Sequence, residues 1–586
     1  MHARAHTWLP SAQRMTARSF QNPCSRGLCP SVWRAVGAGG SMAEPAVLQK
    51  KQVTQLRDKH VIVVGAGVGG LVSALLLAHG GVRVTLVETA AAPGGKMRRV
   101  NVGGALVDSG PTVFTMRWVF EQIFAQVGCN LNDLVKLEPL DILCRHAWGS
   151  TDQRLDLFTD IARSADAIAQ FSSPEEARRF VAFCQKAKDI YEHLEGPYIR
   201  SSRPTLMGMG ADLGPSGLTA LASLGPFASL WQSLGHYFHD PRLRQLFGRY
   251  ATYCGASPWA APATLMLVAH VELDGVWSVD GGMHALAKAI AAQAERQGAT
   301  LRYSSPCQRI LVQDGRACGI ELAGGEQLQA DAVVFNGDAS ALAQGLLGGD
   351  GVQRAAKNTP PAKRSLSAVT WSVNAPTSGF PLVRHNVFFD DDYKLEFDEI
   401  FKQHKLPSRG TVYVCAQDRT DSAQAINGNE RLLCLVNAPA TGDQRTGLSG
   451  AQQLTSSEIQ SCQEQSLKLL GQCGLALDLS SATAQSVITT PGDFNQLFPG
   501  TGGALYGPAS HGWITPFQRP SSVSKLPGLY LAGGSVHPGP GVPMAALSGQ
   551  LAAATVMAHL ASTKPLGRVR ISGGMSMPSA TTASTP

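Results

Sequence analysis

Three glycines with the spacing G-x-G-x-x-G are the residues of this sequence with the clearest chemical use. Gly65, Gly67 and Gly70 follow a short apolar, β-branched run at residues 61–64. The first glycine of this pattern allows a tight turn, the second lets a pyrophosphate approach the backbone, and the third lets helix and strand pack closely. The N terminus of the next helix then offers free N–H groups and a positive dipole end to the phosphates. The spacing therefore predicts dinucleotide binding.

The elements around the glycines strengthen this prediction. Residues 61–64 are typical of a buried strand, residues 71–78 of a helix, and residues 82–87 of a second strand that ends at Glu88. A carboxylate at that strand end can accept hydrogen bonds from a ribose, so Glu88 joins the predicted site. The alternative is a glycine-rich turn in an ordinary βαβ unit.

The residues that follow favour a flavin dinucleotide. The segments PGGK at 93–96 and DSGPT at 108–112 come soon after Glu88. A nicotinamide-only domain does not need a second glycine pair and a cation here, whereas a flavin dinucleotide lies extended across two domains and meets more of the chain. The further contacts predicted from these segments are Gly95, Lys96, Gly110, Pro111 and Thr112.

The C-terminal part contributes a second group of predicted contacts. Residues 529–544 form an apolar run and a Gly/Pro loop, and an uncharged helix follows to about residue 562. A loop without side chains can approach a planar ring closely. The helix N terminus places a positive dipole end where a reduced flavin carries negative charge. The predicted contacts here are Gly533, Gly534, Val542, Pro543 and Met544.

Together these motifs resemble the flavin-binding parts of the amine oxidase and phytoene desaturase superfamily, and the resemblance covers about residues 60–560. It implies an α/β fold with a Rossmann-like FAD-binding domain and an interleaved α+β substrate domain. It also implies that the backbone at Cys307 meets the adenine. The family usually has Arg where this chain has Lys96, which keeps the charge but not the forked hydrogen-bonding geometry. Many relatives have Asp where this chain has Gly534.

The predicted domains are interleaved along the chain. They are an N-terminal extension at 1–59, an FAD-binding domain at 60–155, 275–345 and 500–562, a substrate and membrane-facing domain at 156–274 and 346–499, and a disordered tail at 563–586. The first 41 residues contain five Arg and no acid. This composition suits a transit peptide. We favour the alternative that the start codon is assigned too early and that Met42 is the true first residue.

Composition restricts the possible partners. The formal charge of +7 lies within residues 1–60, which hold nine basic and two acidic residues. The remainder is neutral, so no nucleic-acid partner is expected. No cysteine or histidine spacing suggests a metal site.

One uncharged stretch points to a lipid surface. Residues 213–235 contain two Pro and four Gly, so a continuous membrane-spanning helix is improbable. We expect this stretch to lie in a membrane interface; a buried helical hairpin is the alternative.

Several local signals predict the remaining architecture. Ser173, Pro174 and Glu176 predict a capped helix start. Residues 156–274 are predicted to be mostly helical. Asp314 and Gly315 predict a hairpin turn, and residues 346–499 are predicted to form a sheet that walls a substrate cavity.

Within the carotenoid desaturases the chain is most similar to the 1-hydroxycarotenoid 3,4-desaturases, a match carried by residues 110–120 and 533–544. This resemblance implies an FAD-dependent enzyme that introduces a C-3,4 double bond into acyclic 1-hydroxycarotenoids by hydride transfer to flavin. It further implies a hydrophobic carotenoid substrate, oxygen or a quinone as electron acceptor, and a peripheral position on the cytoplasmic side of a bacterial inner or photosynthetic membrane. The alternatives are phytoene desaturation, carotenoid isomerisation, and a flavin-free prenyl or lipid carrier of the same fold.

Two side chains are candidates for further roles. His537 could accept the substrate proton, since histidine titrates near neutrality; a hydrogen bond to backbone is the alternative. Arg117 could meet the substrate hydroxyl or the flavin phosphates, with a surface ion pair as the alternative.

Overall fold

The computed structural model describes residues 56–202, 228–419, 426–443 and 454–562. In chain order the described strands are β1 (His60–Val64), β2 (Arg83–Val87), β3 (Arg99–Val102), β4 (Ala105–Asp108), β5 (Leu137–Pro139), β6 (Ile142–Trp148), β7 (Arg154–Phe158), β8 (Trp277–Val279), β9 (Thr300–Arg302), β10 (Cys307–Gln313), β11 (Arg316–Leu322), β12 (Gln327–Gln329), β13 (Ala332–Phe335), β14 (Ser367–Ala375), β15 (Thr377–Gly379), β16 (His385–Phe389), β17 (Val412–Ala416), β18 (Glu430–Ala438), β19 (Leu475–Leu477), β20 (Gln485–Thr489) and β21 (Leu529–Leu531).

The described α-helices are α1 (Val68–His79), α2 (Arg117–Gln126), α3 (Leu131–Leu134), α4 (Ile161–Phe171), α5 (Pro174–Leu194), α6 (Leu230–Tyr237), α7 (Pro241–Gly248), α8 (Leu267–Leu273), α9 (Met283–Arg296), α10 (Ala339–Ala343), α11 (Asp350–Gln353), α12 (Tyr393–Lys402), α13 (Ser456–Gln472), α14 (Pro491–Leu497), α15 (Thr515–Gln518) and α16 (Val542–Leu560). A π-helical turn at Glu195–Ile199 and short 3₁₀ helices at Arg249–Cys254, Ala263–Met266 and Pro361–Lys363 complete the helical elements.

A five-stranded parallel sheet confirms the predicted Rossmann-like unit. Its strand order is β21-β13-β1-β2-β9, with every neighbouring pair parallel. Strands β1 and β13 are buried over almost their whole length, as expected for a sheet covered by helices on both faces. The carboxyl ends of these strands lie on one edge, which is where ligands bind in such folds.

Helices α1 and α16 pack directly against each other because small residues face the contact. A side chain at Gly549 would place its Cβ 2.2 Å from the backbone oxygen of Gly69. Ser73 stabilises the crossing by donating to the carbonyl oxygens of both glycines, at 2.8 and 3.0 Å. The C-terminal helix is thereby tied to the glycine-rich turn at the start of the described chain.

The larger sheet has seven strands in the order β20-β14-β18-β17-β16-β6-β7. It is mostly antiparallel, with β16 and β6 as its parallel pair. Residues 142–158 belong to this sheet, although the predicted boundary placed residues up to 155 in the FAD-binding part. Their pairing with β16 is long-range and has no local signature in the sequence.

The local predictions are largely confirmed. Helix α5 begins after Ser173, whose side chain accepts from the Glu176 backbone N–H. The reciprocal half of a capping box does not form, because the Glu176 carboxylate instead accepts from Arg179 and the His239 backbone. Strands β10 and β11 meet at a two-residue turn in which Asp314 and Gly315 both have positive φ.

The uncharged stretch at 213–235 lies outside the described residues up to 227. Its described end caps helix α6 through Ser229, and Leu230 is buried in a core cluster rather than facing solvent. Over the described ranges, no helix has both the length and the hydropathy needed to cross a membrane. In the same ranges, no three His, Cys, Asp or Glu side chains gather as a metal site would require.

Candidate active site

One cavity of about 1150 Å³ lies between the parallel sheet and the seven-stranded sheet. Single small-molecule pockets commonly measure about 300–1,000 Å³, so this cavity has room for more than one small ligand. Every predicted cofactor contact except Gly70 lines it, namely Gly65, Gly67, Glu88, Gly95, Lys96, Gly110, Pro111, Thr112, Cys307, Gly533, Gly534, Val542, Pro543 and Met544. The fold thus gathers three separate segments of the chain around one space.

Gly70 lies behind the turn and acts on packing. A Cβ there would be 2.1 Å from the backbone oxygen of Gly65, so any side chain would separate helix α1 from the turn. Gly65 has φ +101°, a conformation that favours glycine. The second glycine pair meets the first, because the Gly94 N–H donates to the Ala66 oxygen at 2.8 Å.

Two helix N termini open into the cavity. Helix α1 begins after Gly67 and helix α16 after Gly541; neither has a side-chain cap or an acidic residue in its first turn. Gly67 and Val542 line the cavity, so the first N–H groups of both helices are available to a ligand. This donor set suits an anion such as a pyrophosphate at α1 and a ring that gains negative charge at α16.

Glu88 is held at the end of β2 by backbone donors. Its carboxylate accepts from the Ala66 N–H at 2.6 Å and from the Ala90 N–H at 2.8 Å. The side chain is thereby fixed beside the glycine-rich turn, where the sequence placed a ribose contact. The contact itself stays a prediction.

Asn336 is a site residue that the sequence analysis missed. It follows β13, lines the cavity and donates from Nδ2 to the Gly65 oxygen at 3.4 Å. Its Oδ1 atom is buried and has no hydrogen-bond partner among the described residues. A buried acceptor without a partner is costly, so this atom fits a ligand donor. The sequence did contain one signal for this residue, because a polar side chain directly follows the buried apolar run 332–335.

Lys96 is a partly buried cation of the site. Its Nζ donates to the Leu505 carbonyl oxygen at 2.5 Å and lies 5.3 Å from the ring centre of Phe498. Burial lowers its pKa, and Asp338 opposes that shift only in part. A Cβ on Gly110 would sit 1.8 Å from the Lys96 oxygen, which explains why a glycine follows Ser109 in this motif.

Cys307 lines the cavity at the start of β10. Burial raises the pKa of its thiol to about 12, so the side chain is neutral at physiological pH. A neutral side chain is compatible with the predicted backbone contact to adenine, which remains a prediction.

His537 does not line the cavity. The residue is buried, and its Nε2 donates to the Tyr198 carbonyl oxygen at 3.0 Å. This geometry matches the alternative of a backbone hydrogen bond, and the catalytic role stays an untested prediction. The loop around it, at Pro538 and Gly539, does line the cavity.

Arg117 also lies away from the cavity lining. It donates to Glu121 at 2.8 Å and to Asn132 at 2.8 Å on the outer side of α2. The structure shows the alternative, a surface ion pair, and the contact with a substrate hydroxyl or with phosphates stays a prediction. The reason is rotation about the helix: the buried face of α2 carries Val119 and Phe120 instead.

The opposite wall of the cavity is the seven-stranded sheet, as predicted. Side chains alternate along a strand, so Leu433 and Leu435 of β18 face the cavity while Leu432 and Cys434 enter a core cluster. We call the cavity-facing set the sheet wall; it consists of Thr370, Tyr413, Leu433, Leu435 and Asn437. Its two leucines form an apolar surface that would exclude water from a bound chain, next to the polar groups of Thr370, Tyr413 and Asn437.

Comparison with known proteins places the chain in a family. The model of the flavin-containing amine oxidoreductases matches residues 68–557. Hydroxyneurosporene desaturase of Rubrivivax gelatinosus is 64% identical over 527 residues, which are 90% of this chain and 98% of that protein. The enzyme of the same name from Cereibacter sphaeroides is 44% identical over 86% of this chain and 98% of its own length.

A solved structure shows the same fold. An oxidoreductase from Methanosarcina mazei superposes with a TM-score of 0.53 at 16% identity, covering 85% of this chain and all of that one. The glycine turn, the two open helix N termini and the unpartnered Asn336 oxygen all fit a bound flavin dinucleotide. The chain therefore belongs to the flavin-containing amine oxidoreductases and, within them, to the carotenoid desaturases, as an oxidoreductase whose cofactor is FAD.

Proposed function

We propose that this enzyme introduces the C-3,4 double bond into acyclic 1-hydroxycarotenoids. The observation that carries the proposal is the 64% identity to a hydroxyneurosporene desaturase over nearly that whole protein. The cavity supports it, because the leucines of the sheet wall line the same space as the predicted cofactor contacts. An extended polyene needs such a wall, since it offers few polar groups for recognition.

The chemistry follows from the substrate. When bound, FAD supplies a two-electron acceptor that takes up hydride. A C–H bond next to a conjugated polyene loses hydride more readily than one in an alkane, because the resulting cation spreads over the polyene. A proton then leaves the adjacent carbon, and the remaining electron pair forms the new double bond.

The chain's own residues orient the substrate and exclude water. Leu433 and Leu435 provide a dry surface along the cavity, while Lys96 and the N terminus of α16 favour negative charge on the opposite side. Alignment and desolvation of this kind contribute much of the rate in reactions that need no strong acid or base.

The test uses purified protein reconstituted with FAD and kept free of oxygen. Addition of hydroxyneurosporene should bleach the flavin absorbance and give a product lighter by two hydrogens, with its double bond at C-3,4 by NMR. A geometric isomer as product, or bleaching by phytoene but not by hydroxyneurosporene, would contradict the proposal. Readmission of oxygen, or of a quinone without oxygen, then identifies the acceptor that restores the flavin.

We also propose that the enzyme works on the cytoplasmic side of a bacterial inner or photosynthetic membrane. Leu497 and Trp513 line the cavity and are 49% and 37% exposed, and neighbouring Ile514 is 45% exposed. An apolar rim at a cavity that accepts an apolar chain suits a lipid surface.

Flotation with vesicles tests this position. The double variant Leu497→Asp/Trp513→Asp should lose most vesicle binding, while Ile161→Asp/Val181→Asp, which changes exposed residues outside the cavity lining, should keep it. Equal binding of both variants would contradict the proposal. Leu230 is unsuitable for such a change because it is buried, so an aspartate there would destabilise the fold.

A further inference from the structure

A polar patch interrupts the apolar lining of the cavity. We call it the Arg249 cluster: Arg249, Tyr253 and Glu272 line the cavity, and Tyr250 lies behind them. The cavity residues that surround it are apolar, as in Leu267 and Val268. A charged group on such a wall needs a physical explanation, since burial of charge is unfavourable without a partner.

The Arg249 guanidinium has more N–H donors than the protein provides acceptors for. Its ring neighbours are Tyr253 and Tyr413, at 5.2 and 5.8 Å from the ring centres, and the thiol of Cys144 is also close to it. Within the described residues no carboxylate lies within ion-pair distance of it and no oxygen accepts from it, but its charge attracts the nearby carboxylate of Glu272. An arginine offers five N–H donors, so most of them are available to a ligand.

The other cavity arginines are engaged with the protein. Arg98 donates to the Thr489 hydroxyl at 2.9 Å. Arg519 donates to the carbonyl oxygens of Tyr506 and Pro508, at 3.2 and 3.0 Å. Among the arginines of the described cavity lining, Arg249 is therefore the one with no oxygen acceptor from the protein, although the Nε of Arg98 is also buried without a partner.

Glu272 supplies the complementary acceptor. It is buried and accepts from the Tyr253 hydroxyl at 3.2 Å, with Tyr250 close by. Burial raises the pKa of this carboxyl. Donor and acceptor groups thus lie on one patch, which is the arrangement that recognises an alcohol.

The patch adjoins the cofactor contacts. The Tyr413 hydroxyl, whose ring Arg249 faces, forms a 2.7 Å hydrogen bond with the hydroxyl of Thr112. Thr112 belongs to the predicted cofactor contacts. In a 1-hydroxycarotenoid the hydroxyl sits on C-1, only two bonds from C-3, so a group that recognises it must lie close to the site of dehydrogenation.

We propose that Arg249, supported by Tyr253 and Glu272, binds the C-1 hydroxyl of the substrate and so determines specificity for hydroxylated carotenoids. This inference rests on the proposed function and adds the residues that select the substrate. A site built to hydrogen-bond a hydroxyl discriminates strongly against the analogue that lacks it, because its buried polar groups are then left unpaired.

The test compares hydroxyneurosporene with neurosporene, which has a C-1,2 double bond in place of the C-1 hydroxyl, in wild type and Arg249→Met. We expect kcat/KM for hydroxyneurosporene to fall about 10- to 100-fold in the variant, the size of a lost hydrogen bond to a charged group. Turnover of neurosporene should change less than about threefold. FAD content and circular dichroism report whether the variant is folded.

Arg117→Met is the matched control, because this arginine was the sequence-based candidate and lies off the cavity lining. It should leave the preference between the two substrates unchanged. A similar loss for both substrates in folded, FAD-bearing Arg249→Met would overturn the inference, as would a changed preference in Arg117→Met alone.

Arg249→Lys covers the case in which the methionine variant does not fold. It keeps the positive charge but not the forked donor geometry of the guanidinium. We therefore expect kcat/KM to fall about 3- to 10-fold for hydroxyneurosporene only. An equal loss for both substrates would again overturn the inference. Failure of the wild type to oxidise hydroxyneurosporene would instead overturn the proposed function, so the two failures are distinguishable.

Discussion

The two walls of the cavity differ in the atoms that they present to a ligand. One wall, which we call the glycine cradle (Gly65, Gly67, Gly110 and Gly541), presents backbone atoms and open helix ends. The sheet wall presents side chains from strands that lie far apart in the sequence. Side chains in the cradle would clash, as at Gly110, or would be strained by a positive φ, as at Gly65, whereas a side-chain wall can change shape and polarity without loss of the fold. We therefore expect the cradle to bind the cofactor and the sheet wall to differ with the individual substrate.

The largest effect is expected in the packing behind the cradle. In Gly70→Ala the new methyl would meet the Gly65 backbone oxygen at 2.1 Å, and backbone cannot move aside cheaply. We expect loss of bound FAD and a decrease in the free energy of unfolding of about 1–3 kcal/mol or more. FAD content after gel filtration and chemical denaturation measure both effects.

Gly471→Ala is the matched control for that change. Gly471 lies in helix α13, and a Cβ there would meet nothing within 4 Å. It should be neutral or stabilise by up to about 1 kcal/mol. Retention of FAD by Gly70→Ala at the level of this control would refute the packing role of Gly70.

The cation beside the cradle should have the next largest effect. Lys96→Met removes the donor to Leu505 and the positive charge near the cofactor contacts. We expect the Kd for FAD to rise about 10- to 100-fold, as for other charged hydrogen bonds. Lys96→Arg should recover most of the affinity. Titration of apoprotein with FAD gives the values, and an equal Kd for the Lys96→Met variant and the wild type would exclude a role of the charge.

The sheet wall should respond in substrate turnover rather than in cofactor binding. Leu435→Ala removes apolar surface from the cavity, and we expect kcat/KM for the carotenoid to fall about tenfold with FAD content unchanged. Val436→Ala, its neighbour on the opposite face, is buried in the core and should cost about 1–2 kcal/mol of stability instead. The two strand faces would then separate into a substrate face and a stability face. A turnover loss in Val436→Ala alone would contradict that division.

At neutral pH the smallest effect is expected from His385, which belongs to the seven-stranded sheet and makes it sensitive to acid. His385 is buried beside Tyr413, and burial lowers its pKa to about 3. The unfolded chain binds a proton near pH 6.5 but the folded chain does not, so the free energy of unfolding decreases as the pH falls from about 6.5 toward 3.

His385→Gln should flatten this dependence by about 1 kcal/mol per pH unit between about pH 6 and pH 4. Urea denaturation at each pH measures the slope, and His236→Gln, a change at an exposed residue, serves as the control. An unchanged slope in His385→Gln would show that this histidine does not carry the acid sensitivity.

The glycine cradle could be predicted because its function depends on local backbone geometry. Gly65, Gly67 and Gly70 stand within a few residues, and only glycine fits the turn they form. The strand and helix around them follow from apolar patterns of short range. The same reasoning found the C-terminal loop, because the absence of side chains is visible in the sequence.

Residues selected by three-dimensional packing escaped prediction. Arg117 follows the DSGPT motif closely, yet the orientation of α2 turns it outward, and Arg249 reaches the cavity from the distant 3₁₀ helix at Arg249–Cys254. His537 lies in a cofactor loop, but its ring packs behind that loop. Asn336 is adjacent to the glycines only through the parallel pairing of β1 and β13.

The sequence by itself determined the cofactor class, the Rossmann-like unit and most of the predicted cofactor contacts that line the cavity. Each of these depends on residues that are near one another along the chain. Tertiary structure alone decided which side chains form the sheet wall and which arginine faces the cavity. It also decided that residues 142–158 join the seven-stranded sheet. The physical reason is that strand pairing and helix rotation are set by the burial of many weak contacts at once, and no short segment carries that information.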